Sequence, residues 1–332
     1  MEVSYETALK TFARLNEETK APSLHPWYVI ADARRSADLK PTFFVFEEDE
    51  ACFYHGFHVA KVTGTDFKDI QSPYGYGGPA ASSDDAAFLG RAWAAYVLWC
   101  KKNNVLVEFI RFHPLLENWR YYQGEIIPDR QTVWIDLDSA ELLMTYSVRV
   151  RTAIRKATKE GLRVKWVEAQ KFMEIFPQMY KSVMTELKAD EIYYFNQDYF
   201  SKLLFWENAH FAVCLLADEP VASAIFLAEQ AIMEYHLSAS TIIGKKLAAT
   251  NLILHEATLL GKKLGCRALH MGGGTDNNAD NALLFFKAGF SKNRGLFKIG
   301  KQVHQDEAYT VLKKEWQKKN GDNSNRILFY RT

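Results

Sequence analysis

The sequence predicts a two-domain α/β protein, and three observations support this fold class. The chain has 332 residues, which is above the size at which one hydrophobic core usually keeps growing, so two domains are expected. Strand-like runs alternate with helical patterns in both halves. The composition changes abruptly at Ser147, where a strongly basic segment begins. We therefore place the boundary near residue 145 and predict domains over 1–145 and 146–332.

The elements of the first half are predicted from alternation, helical spacing and turn residues. They are, in chain order, a hairpin of strands at 41–48 and 51–63, a loop SPYGYGGPA that begins at Ser72, a long helix at 84–104, and strands at 105–114 and 131–138. This succession of strand, helix and strand is typical of an α/β arrangement.

The second half has a more regular order of elements. After the basic helix, which Gly161 caps, they are a helix at 171–187, three antiparallel strands at 210–217, 221–229 and 231–240, a loop TIIGKK, a long amphipathic helix at 247–265, a strand RALHM, a helix NALLFFKAGF and a strand LFKIGKQVH. Short turns join the three antiparallel strands. The terminal ILFYR could form a strand that returns to the first domain.

Composition and charge exclude several classes of protein. There are 41 basic and 40 acidic side chains, giving a net charge of +1, so no bulk attraction for nucleic acid or an anionic membrane exists and any polyanion must meet a local patch. We expect no DNA partner. No signal-peptide pattern or long apolar window is found, which predicts a cytoplasmic protein without a membrane span. The four cysteines lie far apart, with no CxxC pair and no nearby histidine at zinc-ligand spacing, so no metal site is expected.

Seven short motifs occur in a characteristic order: SPYGYGGPA, RFHP, RVRTAIRKATKEG, YHLSAS, KKLAATNLILHEA, LHMGGG and FFKAGFS. Together they resemble the Fem-type branch of the GNAT acyltransferases over roughly residues 40–305. The resemblance implies two tandem GNAT-like domains, each a mixed, mainly antiparallel twisted sheet flanked by helices. Members include aminoacyltransferases that build peptidoglycan cross-bridges and acyltransferases associated with envelope polysaccharide synthesis.

The resemblance implies metal-free transfer of an activated acyl group to an amine, with the first domain on the acceptor side and the second on the donor side. The peptidoglycan enzymes usually carry a long helical arm in the second domain, and no heptad-like segment of that kind is found here. We therefore expect a thioester donor such as acyl-CoA, and an envelope polysaccharide, nucleotide sugar or cell-wall precursor as acceptor. Two alternatives stay open: an aminoacyl-tRNA-dependent peptidoglycan-bridge enzyme, which the neutral charge disfavours, and a non-catalytic protein that binds a glycan or nucleotide.

The strand at 231–240 carries the expected catalytic residues. In the GNAT fold, the strand before the phosphate loop holds the donor carbonyl along its backbone edge. Because strand side chains alternate, Glu234, His236 and Ser238 are expected to share one face, and Glu234 with His236 could relay the proton of the amine. The same pattern also fits the polar outer face of an ordinary strand.

The segment TIIGKKLAATN follows this strand and is the expected donor-binding loop. Backbone amides at a helix start favour phosphate groups. The expected cofactor-binding residues are Gly244, Lys245, Lys246, Ala248 and Asn251. The alternative interpretation is an ordinary basic helix start.

Three consecutive glycines, Gly272, Gly273 and Gly274, follow the strand RALHM. A bare backbone there would leave room for the donor arm or the acceptor between two separating strands. The sheet would then part beside Met271 and leave a gap that reaches Tyr235. The loop lacks the Gly-Lys-Ser/Thr of a phosphate-binding P-loop, and DNNADN lacks the glycine and glutamate of a calcium loop.

Further substrate contacts are expected on three segments, each with a plainer alternative. Aromatic rings could form a wall for a sugar or muropeptide, basic side chains could clamp a phosphate, and the lysine of the FK(x)GF motif lines the channel in the family. The residues are Tyr74, Tyr76, Phe112 and His113 for the wall, Arg149, Arg155 and Lys156 for the clamp, and Phe286 with Lys287 for the channel. The alternatives are a packed loop, a solvated helix face and a solvated lysine beside a core phenylalanine.

Overall fold

The computed structural model combines a large, mostly antiparallel sheet with flanking helices, so the mixed α/β class is confirmed. The structure describes residues 1–276, 278, 280–321 and 326–331. Part of the DNNADN segment falls outside these described residues.

The strands are β1 (Glu2–Val3), β2 (Lys40–Glu48), β3 (Ala51–Lys61), β4 (Lys68–Gln71), β5 (Gly78–Ala81), β6 (Val105–Arg111), β7 (Glu125–Asp136), β8 (Leu162–Trp166), β9 (Ala209–Leu216), β10 (Glu219–Glu229), β11 (Ile232–Ser240), β12 (Ala268–Gly273) and β13 (Arg294–Val303). The α-helices are α1 (Tyr5–Arg14), α2 (Pro26–Ala33), α3 (Ala86–Lys102), α4 (Leu142–Thr145), α5 (Val148–Lys159), α6 (Ala169–Glu186), α7 (Gln197–Leu204), α8 (Ile242–Lys246), α9 (Ala249–Lys263), α10 (Ala282–Ala288) and α11 (Asp306–Asn320).

The chain divides into two compact units. Unit 1 contains Met1–Asp129 and Phe297–Thr332, and unit 2 contains Arg130–Leu296. The division into domains at residue 145 stays a prediction. The compact units place 130–145 in unit 2, because the end of β7 pairs with β12 there. They place the last segment of the chain in unit 1.

Unit 1 is built on a mainly antiparallel sheet in which β1, β2, β3, β4, β6 and β13 follow one another, with β5 added to β3. The predicted hairpin is present as β2 and β3, which turn between Glu48 and Ala51. Helix α3 begins at Asp85, whose side chain accepts a hydrogen bond from the Phe88 amide. Its aromatic side chains pack on the sheet, and the Phe44 and Tyr96 ring centroids lie 5.2 Å apart. This aromatic layer forms the core of the unit.

The strands β4 and β6 form a parallel pair inside unit 1. Hydrogen bonds from the residues that follow these strands continue the pairing beyond the strand ends. The Ser72 amide donates to the Phe109 carbonyl at 3.1 Å, and the Ser72 hydroxyl accepts from the Arg111 amide at 3.0 Å. The Gly77 amide then donates to the Arg111 carbonyl at 2.7 Å, while Asn118 Nδ2 donates to the Gly77 carbonyl at 2.9 Å. The two backbones therefore stay joined where the strands end.

The end of the chain is tied to unit 1 by a buried ion pair. Arg331 Nε lies 2.7 Å from Asp69 Oδ2, and the Asp69 side chain is fully buried. Tyr309 of α11 donates to the Ile327 carbonyl at 2.9 Å. The ILFYR segment forms a turn rather than a strand, and it is the side chains that hold it in place.

In unit 2, the strands β7, β12, β11, β10, β9 and β8 follow one another in a mainly antiparallel order. The predicted order of a helix, three antiparallel strands, a loop, a long helix, a strand, a helix and a strand is confirmed. The pair of β11 with β12 is parallel. Helix α7 was not expected from the sequence.

Helices cover both faces of this sheet. Ala224 and Phe226 of β10 belong to the core that includes residues of α5 and α9. Ile225 points the other way, since it pairs with Phe211, and the Phe211 ring centroid lies 4.8 Å from that of Phe172 in α6. The alternation of β10 therefore separates an α5/α9 face from an α6/α7 face.

We predict that Arg331→Met lowers the free energy of unfolding by about 3 kcal/mol at pH 7, because it leaves the buried Asp69 carboxylate without its partner. Equilibrium urea unfolding measures the effect. The matched control is Arg14→Met, whose ion pair with Glu47 is exposed on both sides and should contribute less than about 1 kcal/mol. Equal losses in the two variants would contradict the prediction.

Candidate functional site

The parallel strands β11 and β12 separate soon after they begin. They pair at Ile232 with Ala268, at Met233 with Leu269 and at Glu234 with His270, and pairing then stops. β11 runs on to Ser240 beside β10. In the part of the chain that the structure describes, no strand occupies the other edge of residues 235–240. The parting beside Met271 that the sequence predicted is therefore present.

β11 contains a β-bulge at His236, and this corrects the expected catalytic face. Phe226 pairs with Tyr235 while Ile225 pairs with Leu237, so His236 is the extra residue. A bulge shifts the phase of the side chains by one position. Ser238 consequently lies on the α5/α9 face, where its hydroxyl accepts a hydrogen bond from Tyr235. The prediction that Ser238 shares a face with Glu234 and His236 is wrong.

Glu234 and His236 lie on the α6/α7 face. Glu234 is buried, and so is His270, its neighbour across the parallel pair. His236 Nε2 forms a hydrogen bond with the hydroxyl of Tyr199 from α7. The Tyr199 side chain is itself buried and its ring centroid lies 4.5 Å from that of Phe195. Tyr199 was not found from the sequence, and only the Asn196 cap signal marked the start of its helix.

The expected donor loop folds into the short helix α8 and a left-handed residue, Ala248, before α9 begins. Its backbone amides are largely used inside the segment. The Gly244 amide donates to the Thr241 hydroxyl at 3.1 Å, and the amides of Lys245, Leu247, Ala248 and Asn251 donate to nearby carbonyls. These bonds take up part of the loop's amides, and its predicted role in binding the donor stays a prediction.

Gly244 has a packing role in this loop. A Cβ atom at that position would lie 2.2 Å from the Val221 carbonyl oxygen and 2.6 Å from the Ser240 hydroxyl. The missing side chain thus lets α8 approach β10 and β11. This close approach accounts for the glycine without a ligand.

Each of the three consecutive glycines meets an internal constraint. Gly272 has φ +74°, which a side chain would strain, and it follows a register shift in β12. A Cβ on Gly273 would lie 2.9 Å from the Gln131 carbonyl oxygen, and one on Gly274 would lie 2.5 Å from Asn281 Oδ1. The glycines therefore let β12 bend and lie close to the neighbouring residues Gln131 and Asn281. Their predicted contact with substrate stays a prediction.

Lys287 is the most perturbed cation of unit 2. It is 7% exposed, and its Nζ donates to the Gly273 carbonyl at 2.8 Å, at the end of β12. Burial lowers the pKa of Lys287 to about 7, so near neutral pH both protonation states are present. Phe286 packs against the core of the unit. A buried lysine of this kind beside parting strands is a candidate functional group.

The basic segment forms helix α5, and its cations make local contacts. Arg149 Nη2 donates to the Phe285 carbonyl at 3.0 Å, and Lys156 Nζ donates to the Lys246 carbonyl at 3.0 Å. Arg149 and Lys156 are seven residues apart and share a helix face, whereas Arg155 lies roughly 100° around the helix. The structure does not bring the three predicted clamp residues together around one point.

The predicted aromatic wall of unit 1 is only partly assembled. Tyr76 is half-buried and packs edge-on against His113, with ring centroids 5.2 Å apart. The Tyr74 amide donates to Asp32 Oδ2 at 2.8 Å, which fixes the loop. Phe112 is buried and its ring centroid lies 5.2 Å from that of Tyr122. Phe112 is therefore a core residue and His113 is equally buried, whereas the half-buried Tyr74 and Tyr76 stay candidates for substrate contact.

Metal ligands, thiols and membrane spans were also sought among the described residues. No group of three or more His, Cys, Asp or Glu side chains is placed to hold a metal ion there. All four cysteines are free and buried, and burial raises the pKa of Cys214 to about 12. Within the described chain, none of the helices combines the length and apolar character of a membrane span.

Comparison with known proteins identifies the fold. FemX matches with a TM-score of 0.70 and 12% identity, over 94% of this chain and 99% of that one. The C-terminal domain of a putative lysylphosphatidylglycerol synthetase from Agrobacterium fabrum matches with a TM-score of 0.62 and 12% identity, over 95% and 98%. L-PGS from Bacillus licheniformis matches with a TM-score of 0.58 and 15% identity, over 94% and 95%. No protein-family model and no curated sequence matches. The chain thus has the Fem-type, GNAT-like fold that its motifs resemble.

We predict a pH-dependent contribution of Lys287 to stability. The unfolded side chain stays protonated up to pH 10.5 while the folded one loses its proton near pH 7, so the unfolded state binds more protons between these values. The free energy of unfolding should rise with pH there, by up to about 1.4 kcal/mol per pH unit from this group. Urea unfolding from pH 6 to 10 should show this slope in the wild type and in the exposed control Lys263→Met, and lose it in Lys287→Met. The same slope in Lys287→Met would contradict the assignment.

Proposed function

We propose that this chain is an acyltransferase that moves an activated acyl or aminoacyl group onto an amine. The observation that carries the proposal is the early separation of β11 and β12, with the buried amino group of Lys287 at the end of β12. The Fem-type fold supports it, because the chain aligns with FemX over nearly its whole length. The protein would act in the cytoplasm on a precursor of the envelope or cell wall.

The donor would lie in the gap along β11. The edge of residues 235–240 that faces away from β10 carries backbone N–H groups which no other strand takes up among the described residues. Such groups can hold the donor carbonyl and the oxyanion that forms when the amine attacks. The tetrahedral intermediate then expels the thiolate or alkoxide of the donor, and the amide bond remains.

The attacking amine must lose a proton, and Lys287 is the favoured group to take it. With a pKa of about 7, its neutral form is available at physiological pH, and a base works best when its pKa is near the working pH. Glu234 and His236 lie on the α6/α7 face and would carry the proton onward or orient the amine. Tyr199 would hold the imidazole of His236 in place.

The identity of the donor divides the proposal in two. A thioester such as acyl-CoA would use the side chains of Lys245, Lys246 and Lys156 for its phosphates. The internal hydrogen bonds of the α8 loop amides favour a second candidate, an aminoacyl ester carried by tRNA, whose reactive end needs no pyrophosphate site in that loop.

The acceptor would be an amine on a polysaccharide, nucleotide sugar or cell-wall precursor, and Tyr74 and Tyr76 are proposed to contact its rings. A protein that only binds a glycan is the remaining alternative. It has no use for the buried amino group of Lys287 beside the separating strands, and this position favours catalysis.

The test is an acyl-transfer assay with a panel of amine acceptors, offering acyl-CoA thioesters and aminoacyl-tRNA in parallel. Lys287→Met should lower the turnover rate by about 100-fold or more, the usual contribution of a general base, and the exposed control Lys263→Met should not. Wild-type turnover should rise with pH through about 7 and level off above it, because the neutral amine is the active form. No transfer from either donor class would refute the proposed activity, and a rate that falls as pH rises through 7 would refute the base assignment.

A second variant tests the positioning of His236. Tyr199→Phe keeps the ring that packs on Phe195 but removes the hydroxyl that contacts His236 Nε2, so turnover should fall about tenfold with stability little changed. Tyr194→Phe, an exposed tyrosine near the start of α7, is the control. The fall should appear in kcat while the thermal unfolding midpoint stays that of the wild type, which a purely structural role would not produce.

A further inference from the structure

A surface of unit 2 combines exposed apolar side chains with a concentration of positive charge. We call it the α5 platform, and it includes the exposed faces of α5, α8 and α10 with the end of α4. Its apolar members are Met144, Val148, Ile242, Ile243, Leu283 and Phe285. Its basic members are Arg149, Arg155, Lys156, Lys245 and Lys246.

Specific contacts make this a connected surface. The Arg149 guanidinium lies 4.0 Å from the centroid of the Phe285 ring, which joins the start of α5 to α10. The Ser147 amide donates to the Gly289 carbonyl at 2.8 Å. Further along α5, Lys156 Nζ donates to the Lys246 carbonyl at 3.0 Å, which joins α5 to α8. Apolar side chains thus stand beside cations at both ends of the helix.

The apolar members are far more exposed than an ordinary solvated helix requires. Val148 is 68% exposed, Phe285 62% and Ile242 73%. Clustered apolar side chains of this kind mark a surface that meets a partner. Their neighbours determine which kind of partner is favoured.

The charge of the platform has one sign along α5. The helix contains three arginines and two lysines within Val148–Lys159, and no Asp or Glu. The chain as a whole has a net charge of only +1, so this positive field is local. Other exposed apolar residues have different surroundings: Ile192 follows Asp190 and Glu191, and Phe205 lies close to Glu207.

We propose that the α5 platform binds the surface of a membrane that contains anionic phospholipids. Arg149 and Arg155 would contact lipid phosphates, and the side chains of Val148, Ile242 and Phe285 would enter the layer between headgroups and acyl chains. This combination of basic and apolar side chains is what peripheral attachment to such a membrane requires. Aliphatic side chains gain nothing against an RNA backbone, so the platform favours lipid over nucleic acid.

The inference goes beyond transfer chemistry and does not depend on it. Helix α8 follows β11 and helix α10 follows β12, the two strands that separate. Attachment through these helices places the gap close to the bilayer.

The experiment is co-sedimentation of the full chain with vesicles of phosphatidylcholine alone and of phosphatidylcholine mixed with phosphatidylglycerol. Binding is expected only to the mixed vesicles, and it should weaken with salt. Val148→Ser with Phe285→Ser should lower the partition coefficient by at least about tenfold, since both apolar contacts are lost. Ile242→Ser with Ile243→Ser tests the α8 end independently. Arg155→Ser should lower binding by about fivefold.

Phe205→Ser is the matched control, because Phe205 is 81% exposed but lies outside the platform, and its binding should equal that of the wild type. Circular dichroism and thermal unfolding establish that each variant is folded. Full vesicle binding by both apolar double variants would overturn the proposal. Equal binding of the wild type to both kinds of vesicle would also overturn it. A third contrary outcome is an RNA hairpin that displaces the protein from mixed vesicles and that binds both double variants as tightly as the wild type.

Discussion

The candidate site depends on how few residues of β11 and β12 are paired. Three pairs hold the strands together, and two features then separate them. Gly272 takes a left-handed conformation that turns β12 towards β7, and the extra residue His236 increases the local twist of β11. An open strand edge would ordinarily be a liability, because unpaired backbone groups attract other strands. Here the opening is short, and the two strands that border it are followed along the chain by the helices α8 and α10.

Lys287 is placed by the same geometry. The bend of β12 turns the Gly273 carbonyl towards α10, where the lysine donates to it. A single neutral acceptor does not compensate a buried ammonium group fully, and burial therefore depresses the pKa of the side chain. Burial of the protonated amine thus lowers the free energy of unfolding at low pH, and it gives the protein an amine that changes its charge near neutrality. A residue with only a packing role would have been served as well by leucine or methionine.

The sequence predicted much of this arrangement and missed specific parts of it. The order of elements in unit 2, the parting beside Met271 and the Fem-type fold followed from alternation, glycine positions and ordered motifs. The bulge at His236 was missed because a bulge is defined by the pairing of two strands. The sequence of one strand predicts only a regular alternation of side chains. Tyr199 was missed because its contact with His236 joins residues 37 apart in the chain. Phe112 was assigned to a surface wall because its aromatic neighbours in sequence gave no sign of which face of the strand meets the core. Thr241 accepts hydrogen bonds from the Gly244 and Lys245 amides of the α8 loop, a local arrangement that the sequence alone did not reveal.

The parallel strands of unit 1 stay joined beyond their paired residues, whereas those of unit 2 separate. Three residues make this difference: Ser72, Gly77 and Asn118. Beyond the paired residues of β4 and β6, hydroxyl, amide and carboxamide groups of the chain itself form hydrogen bonds with the backbone. The equivalent backbone positions between β11 and β12 remain open. If the two units descend from one ancestral copy, a few polar side chains were enough to close the opening between β4 and β6, while the one between β11 and β12 remained. Each polypeptide would then bind a single equivalent of donor, and a binding titration would end at a stoichiometry of one.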